Sequence, residues 1–159
     1  MNMTTIPTSH SPAARYLAPG WFTRRIFNSF IARLTRVGVS FKGTRVLEVP
    51  GRASGAVRTT VVNLLTVDGQ RYLVAPRGTT QWVRNLRAAG MGTLRLGRRR
   101  ERFVAIELPE DAKVAVLRAY LQQWAWEVGQ FFDGLTADSP EADVAAAAPG
   151  FPVFRVDPA

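Results

Sequence analysis

The chain has 159 residues, a hydrophobic content of 47% and no cysteine, which is enough apolar material for one folded domain. The lack of cysteine excludes disulfides, iron–sulfur clusters, thiolate metal sites and cysteine nucleophiles, and the single histidine, His10, is expected to be solvated rather than to bind a metal. The net charge of +9 is uneven, since residues 1–109 carry 18 basic and 4 acidic side chains, whereas residues 110–159 carry 3 and 8.

The first 20 residues are rich in Thr, Ser, Pro and Ala without periodicity, and they are predicted to form a flexible tail. From 21 to 37, apolar residues recur at helical spacing while arginines fall largely on the other side. This pattern predicts a basic amphipathic helix. Such a helix either packs on the domain by its aromatic side or makes peripheral contact with a membrane surface, and the two roles are compatible.

The middle of the chain is dominated by short stretches rich in β-branched residues. Strands are predicted at 44–49, 57–67, 71–75, 93–96 and 102–108. Asp68-Gly69, which lies between two of these stretches, is a strong hairpin signal. A short helix is predicted over 81–89, and the basic stretch 97–101 is predicted to be the turn between the last two strands.

The last third of the chain is predicted to be mainly helical. Pro109-Glu110-Asp111 is a helix-start pattern, so a helix should run from about residue 110 to 124 or beyond. The acidic, alanine-rich stretch 136–148 is predicted to be surface helix or loop, and 151–156 to be a closing strand.

Closely spaced strands with one short helix between them do not fit the regular alternation of a doubly wound sheet. The sequence therefore predicts a mainly β (α+β) fold, a small antiparallel barrel with helices at both ends. We expect one domain over 21–159, with the barrel core at 44–108 and the C-terminal helices and closing strand at 110–156.

The stretch 50–60 is the first candidate site. Its two glycines permit a tight turn, and Arg52, Ser54 and Arg58 add forked and hydroxyl donors, as an anionic group requires. It is neither a dinucleotide-binding fingerprint nor a P-loop, because the glycine spacing and the terminal Lys-Ser/Thr are missing. The two interpretations left open are a phosphate-binding hairpin and a hairpin with two solvated arginines.

A second basic turn, Arg77-Gly78, comes just ahead of the short predicted helix, whose free N–H groups favour anions. The two basic turns could share one ligand. Trp82 on this helix either stacks on a ring system or fills the core.

Residues 44–108 resemble the deazaflavin-dependent nitroreductase family of actinobacteria, which are split β-barrel proteins related to flavin- and pyridoxal-phosphate-binding oxidoreductases. The resemblance rests on Gly-Arg-x-Ser-Gly-x-x-Arg at 51–58, Asp-Gly at 68–69, Arg-Gly at 77–78, Trp-x-x-Asn-Leu-x-Ala at 82–88 and the ending Pro-Val-Phe-Arg at 152–155. It implies an FMN-binding-like split β-barrel with N-terminal and C-terminal flanking helices.

The same resemblance implies an enzyme that transfers a hydride from reduced coenzyme F-420, a deazaflavin, to a small organic acceptor such as a nitroaromatic or a quinone. No catalytic side chain is expected, since the cofactor carries the chemistry. The cofactor phosphate and acidic tail would lie on Arg52, Ser54, Arg58 and Arg77, and the ring along 60–63 and 75–78. The cofactor-binding residues implied are Arg52, Ser54, Gly55, Arg58, Thr59, Thr60, Val61, Asn63, Ala75, Pro76, Arg77, Gly78, Trp82 and Asn85.

Four departures from the family pattern affect these expectations. Ala53 stands where a Lys is usual, Pro76 replaces a Ser near the ring, Asn63 replaces an aromatic near the acceptor, and the segment between the Arg-Gly turn and Trp82 is shorter than in the best-known members. A non-catalytic cofactor- or lipid-binding protein and an FMN-dependent reductase therefore remain alternatives. Nucleic-acid binding is not expected, because the arginines are spread over several elements without a familiar motif. We expect a cytoplasmic protein with membrane association through 21–37 left open, and a homodimer is compatible with the fold.

Overall fold

The computed structural model describes residues 43–159, apart from the side chains of 125–128 and 130. The predicted tail 1–20, the predicted helix 21–37 and His10 lie outside the described residues. The strands are β1 Thr44–Pro50, β2 Val57–Val67, β3 Gln70–Val74, β4 Met91–Leu96, β5 Arg99–Glu107 and β6 Val153–Pro158. The α-helices are α1 Gln81–Ala89, α2 Glu110–Val128 and α3 Glu141–Ala147, with 3-10 turns at Gly129–Phe131 and Ala148–Gly150.

The six strands close into a barrel in the order β1-β2-β3-β6-β5-β4, and every neighbouring pair is antiparallel. Closure pairs both edges of each strand, which removes the open edges that a flat sheet would expose. The predicted mainly β, antiparallel barrel fold is confirmed. Strand alternation divides the side chains into a set that points into the barrel and a set that points outward.

The turn between β4 and β5 is shorter than predicted. Leu96 pairs with Arg99, so the loop is only Gly97-Arg98, and the predicted turn over 97–101 was wrong beyond its first two residues. A φ of 57° at Gly97 fits a two-residue hairpin with glycine at its first position. Arg99 and Arg100, which suggested a loop, belong to β5 because they pair with Leu96 and Arg95 of β4, and Arg100 also forms an ion pair with Glu48.

The barrel interior forms one hydrophobic core. Leu47, Leu73 and Phe103 are fully buried there, one from each of three strands. Helix α1 closes one end of the barrel with Val83 and Leu86, which have no exposed surface. Each such side chain contributes about 2 kcal/mol through burial, so α1 is an integral part of the core.

A second core lies between the outer face of β2, β3 and β6 and the helices α2 and α3. Trp124 and Tyr120 of α2 pack there, and the rings of Phe132 and Phe151 stack at 4.4 Å. The stretch 136–148, predicted as surface helix or loop, forms turns followed by α3, a surface helix that buries Val144, which is 1% exposed. The acidic, alanine-rich composition did not indicate that Val144 packs against α2.

The strand directions place the two basic turns of the sequence at the same end of the barrel. Strand β1 ends and β2 begins there, which positions the loop 51–56, and β3 ends beside it, which positions the turn 75–80. Helix α1 covers this end, which we call the α1 end. The turns 68–69 and 97–98 lie at the other end, which we call the opposite end.

Candidate functional site

The loop 51–56 is held in one shape by its own backbone. The N–H of Gly51 donates to the carbonyl of Ala56 at 2.8 Å, and the N–H of Gly55 donates to the carbonyl of Gly51 at 2.8 Å. The φ of 72° at Gly55 is in the left-handed region, which favours glycine. The hydroxyl of Ser54 accepts from the N–H of Ala56 at 3.3 Å, so Ser54 is used in the loop itself.

Arg52 joins this loop to helix α1. Its backbone N–H donates to Asn85 Oδ1 at 3.2 Å, and its guanidinium Nη1 donates to Asn85 Oδ1 and to Gln81 Oε1, both at 2.9 Å. The guanidinium has five N–H donors. The three on Nε and Nη2 make no hydrogen bond within residues 43–159, and they form the fork that matches a phosphate or carboxylate.

Arg58 lies just after this loop, near the start of β2. It opposes Val49 in the register and is exposed. Its side chain passes beside Gly51, where a Cβ would lie 3.5 Å from Arg58 Cγ and 3.6 Å from Arg58 Nε. Of the two predicted phosphate ligands, Arg52 therefore lies within this six-residue loop and Arg58 lies on β2 just after it.

The second basic turn is tight and partly buried. The N–H of Gly78 donates to the carbonyl of Ala75 at 3.1 Å, and the N–H of Thr80 donates to the carbonyl of Gly78 at 2.8 Å. Arg77 is half-buried in this turn. Thr80 precedes α1 as its N-cap residue, yet its buried hydroxyl caps no helix N–H and has no hydrogen-bond partner within the described chain.

The residues predicted along the cofactor ring are divided between the two faces of β2. Thr60 opposes Leu47 and faces the barrel interior, whereas Thr59 and Val61 face outward. Asn63 also faces outward, toward the start of β1, and its Oδ1 accepts from Thr44 Oγ1 at 3.3 Å. The structure therefore brings Thr59, Val61 and Asn63 onto one surface and leaves Thr60 on another.

The other predicted ring contacts lie close to the barrel end. Ala75 is 1% exposed and belongs to the interior core, so its methyl group serves packing. Pro76 is half-buried beside it. The half-buried ring of Trp82 lies 6.0 Å from that of Phe154, a contact that fixes α1 on the barrel and leaves part of the indole at the surface.

The α1 end has a positive electrostatic character. Glu107 is engaged by Arg87 in a two-pronged ion pair, with distances of 2.6 and 2.8 Å, and this hydrogen bonding raises the pKa of Arg87. Neither Arg52 nor Arg58 has an ion pair within the part of the chain described. Anions are therefore attracted to the loop 51–56.

Two residues of this site were missed by the sequence analysis. Gln81 lies four residues before Asn85, so both amides are on one face of α1, and that spacing was the available signal. Thr80 gave no signal, because the absence of a cap bond depends on three-dimensional geometry. Within residues 43–159 no cluster of three or more His, Cys, Asp or Glu forms a metal site, and no helix there has the length and apolar character needed to cross a membrane.

A comparison with protein-family models finds a match over most of the chain. The family model described as F-420H(2)-dependent quinone reductase matches residues 23–130. The match includes both basic turns and all of α1. No curated protein matches the chain at a significant level.

Solved structures share the fold. The F-420-H2 dependent reductase FDR-A is 16% identical with a TM-score of 0.53, and the match covers 75% of this chain and 97% of that one. A chain described as a domain-swapped dimer is also 16% identical with a TM-score of 0.53, covering 86% and 97%. General Stress Protein 26 from Bacillus anthracis is 10% identical with a TM-score of 0.50, covering 80% and 88%. At these identities the likeness concerns the fold alone.

Proposed function

This chain belongs to the F-420H(2)-dependent quinone reductase family, and we propose that its α1 end holds the phosphate and acidic tail of coenzyme F-420 through Arg52, Arg58 and Arg77. The protein is an oxidoreductase that uses coenzyme F-420. Reduced F-420 supplies the hydride, and the chain binds the cofactor, orients it and shields it from water.

The observation that carries the proposal is the tethered guanidinium of Arg52. Two side-chain amides fix its position, and its three unused N–H donors lie on the loop that ends just before Arg58 of β2. A guanidinium that is already fixed loses little side-chain entropy on binding. Each charge-assisted bond to a phosphate oxygen contributes about 1.5–3 kcal/mol.

The departures from the family pattern fit this arrangement. Ala53 removes one cation from the loop, but Arg52 within the loop and Arg58 just after it keep it positive. We propose that Arg77 supplies a third cation from the neighbouring turn. Ser54 stabilises the loop from within, so its proposed contribution to the phosphate site is the loop shape.

We place the deazaflavin ring along the outer face of β2, beside Thr59, Val61 and Asn63. These alternate residues share one surface, which starts at the loop that would hold the phosphate. Thr60 faces the interior and would contribute backbone only. The exposed part of Trp82 and the half-buried Pro76 lie at the same barrel end and would border the site.

We propose a quinone-type acceptor, a class that agrees with the family description. The bound cofactor would supply a hydride, and a quinone would need that hydride and one proton to become a quinol. The described side chains at the site include no acid–base pair, so the proton would come from the cofactor or from water.

Titration of the purified protein with F-420 and with FMN, followed by fluorescence, tests the cofactor site. We expect saturable binding of F-420 in the micromolar range and weaker binding of FMN. Oxidation of reduced F-420 by a water-soluble quinone then tests turnover. Equal affinity for FMN would favour a flavin reductase, and F-420 binding without turnover would favour a non-catalytic carrier.

We also propose a homodimer through the outer face of β4 and β5. Met91, Val104 and Ile106 are apolar and exposed there, by 45%, 37% and 40%. Light scattering on the Val104→Glu variant tests this contact, because a buried carboxylate would separate the copies. A wild-type mass of one chain would exclude it.

Membrane contact through residues 21–37 and a cytoplasmic location stay proposals that rest on the sequence pattern. Membrane contact is tested by liposome flotation of the full chain and of a chain that begins at residue 38. Equal flotation of both would remove this segment from that role.

A further inference from the structure

Alternate residues on the outer face of β5 change from basic to apolar to acidic along the chain. Phe103 and Ala105 of this strand belong to the interior core, so the residues beside them face outward. The strand direction continues past its last residue, because the N–H of Leu108 donates to the carbonyl of Val153 at 2.8 Å. We call the outward-facing set, together with the first residue of α2, the β5 row: Arg100, Arg102, Val104, Ile106, Leu108 and Glu110.

The apolar middle of the β5 row is too small to hold two proteins together by itself. Val104 and Ile106, with Met91 opposite Val104 on β4, together expose little more than the equivalent of one whole residue. Each partner of a stable dimer buries roughly 800 Å². A contact between two copies through this face must therefore include the charged residues at both ends of the row.

The two ends of the β5 row carry opposite charges. The basic end lies toward the opposite end of the barrel, where Arg102 is exposed and makes no hydrogen bond or ion pair within residues 43–159. The acidic end lies at the α1 end, where Glu110 and Asp111 are exposed in the first turn of α2. On the neighbouring strand β6, Arg155 and Asp157 form an ion pair at 2.8 Å and add no net charge.

We infer that two copies of this chain pair through their β5 rows about a two-fold axis at Ile106, so that Arg102 of each copy meets the partner's Glu110. In such a contact, residues equally far from the axis on either side lie opposite each other. Arg102 and Glu110 are equally far from Ile106 along the sequence. The apolar residues then meet in the centre, and opposite charges meet at both ends.

The charges also select this orientation over the other two-fold arrangement. With the two strands parallel, Arg102 would face its own counterpart, and Glu110 would face its own as well. Like charges placed together across an interface oppose association. The inference rests on the homodimer proposed above and adds its orientation and its ionic contacts.

Sedimentation velocity of the full chain over a range of concentrations tests this arrangement. Arg102→Glu and Glu110→Arg should each raise the dissociation constant of the dimer about tenfold or more, because each places like charges in two symmetry-related contacts. The double variant Arg102→Glu/Glu110→Arg restores opposite charges, so its dissociation constant should return to near the wild-type value. A defect in folding could not produce this rescue.

Glu141→Arg is the matched control. It also reverses an acidic charge in the first turn of a helix, but α3 packs against α2 and not on β5. It should leave the dissociation constant unchanged. A wild-type chain that stays monomeric would remove the homodimer and this inference together. A dimer that Val104→Glu separates but both charge reversals leave intact, or that the double variant fails to restore, would overturn the inference alone.

Discussion

Asn85 Oδ1 accepts two hydrogen bonds from Arg52, one from the backbone N–H at 3.2 Å and one from the guanidinium at 2.9 Å. Asn85 is only 5% exposed, so its amide is fixed by the core around α1. This contact links a turn that is built by strand pairing to a helix that begins 29 residues after Arg52. The position of the proposed phosphate ligand therefore depends on the packing of α1.

Asn85→Ala is expected to weaken F-420 binding about three- to tenfold, because Arg52 loses its tether and about 1 kcal/mol of preorganisation. Asn85→Asp keeps the hydrogen-bond acceptor, so we expect an unchanged melting temperature. Its negative charge should nevertheless weaken binding of the phosphate. Gln81→Ala removes one exposed contact and should have a smaller effect. Titration with F-420, run in parallel with thermal unfolding, measures these effects. An unchanged affinity in Asn85→Ala would argue that Asn85 does not position Arg52.

Gly55→Ala is expected to lower the free energy of unfolding by about 1–2 kcal/mol, because the left-handed conformation at this residue disfavours a Cβ. No atom lies within 4 Å of that Cβ, so the cost is purely one of backbone conformation. Gly129→Ala is the control, since its Cβ also meets open space and its φ is not in the left-handed region. Urea unfolding compares the two, and equal effects would contradict the loop conformation.

Glu101→Gln is expected to destabilise the fold at neutral pH by less than about 1 kcal/mol, because the ion pair of Glu101 with Arg71 is partly solvated. The folded pKa of Glu101 is lowered, so its contribution is complete above the unfolded value near 4.3 and is lost as the pH falls through the folded value. Urea unfolding at several pH values should show the difference from the wild type shrinking toward acid. If the stability difference between the variant and the wild type grows toward acid pH, the lowered pKa of Glu101 is contradicted.

Val144→Ser is expected to lower the free energy of unfolding by about 2–3 kcal/mol, because it leaves a cavity and a buried hydroxyl between α3 and α2. Ala146→Ser lies in the same helix on an exposed position and should change stability by less than about 0.5 kcal/mol. Thermal unfolding measures both. Similar small changes in both variants would contradict the burial of Val144 against α2.

The barrel could be predicted because its signals are local. The strands follow from β-branched runs, and Asp68-Gly69 marks a hairpin that the structure confirms, with Val67 paired to Gln70. The start of β5 could not be predicted, because Arg99 and Arg100 have the composition of a turn, and Glu48, the ion-pair partner of Arg100, comes from another strand. Long-range ion pairs leave no pattern in a single sequence.

The candidate site, like the fold, could be predicted only in part. The positions of both basic turns follow from the sequence, because glycines and arginines mark them directly. The contact of Arg52 with Asn85 spans 33 residues, and only the closed barrel brings the two together. The alternation of β2 was available in the sequence, yet the choice of which face Thr60 and Asn63 take required the register with β1.

The measurement that bears most directly on the proposed cofactor site is a titration of F-420 against the wild type, Arg58→Ala and Arg102→Ala. Arg58 flanks the loop that would hold the phosphate, whereas Arg102 is remote on β5. We predict micromolar binding by the wild type and Arg102→Ala, and about tenfold or greater weakening in Arg58→Ala. A flat wild-type titration, or equal affinities in all three proteins, would contradict an anion-binding cofactor site at the α1 end.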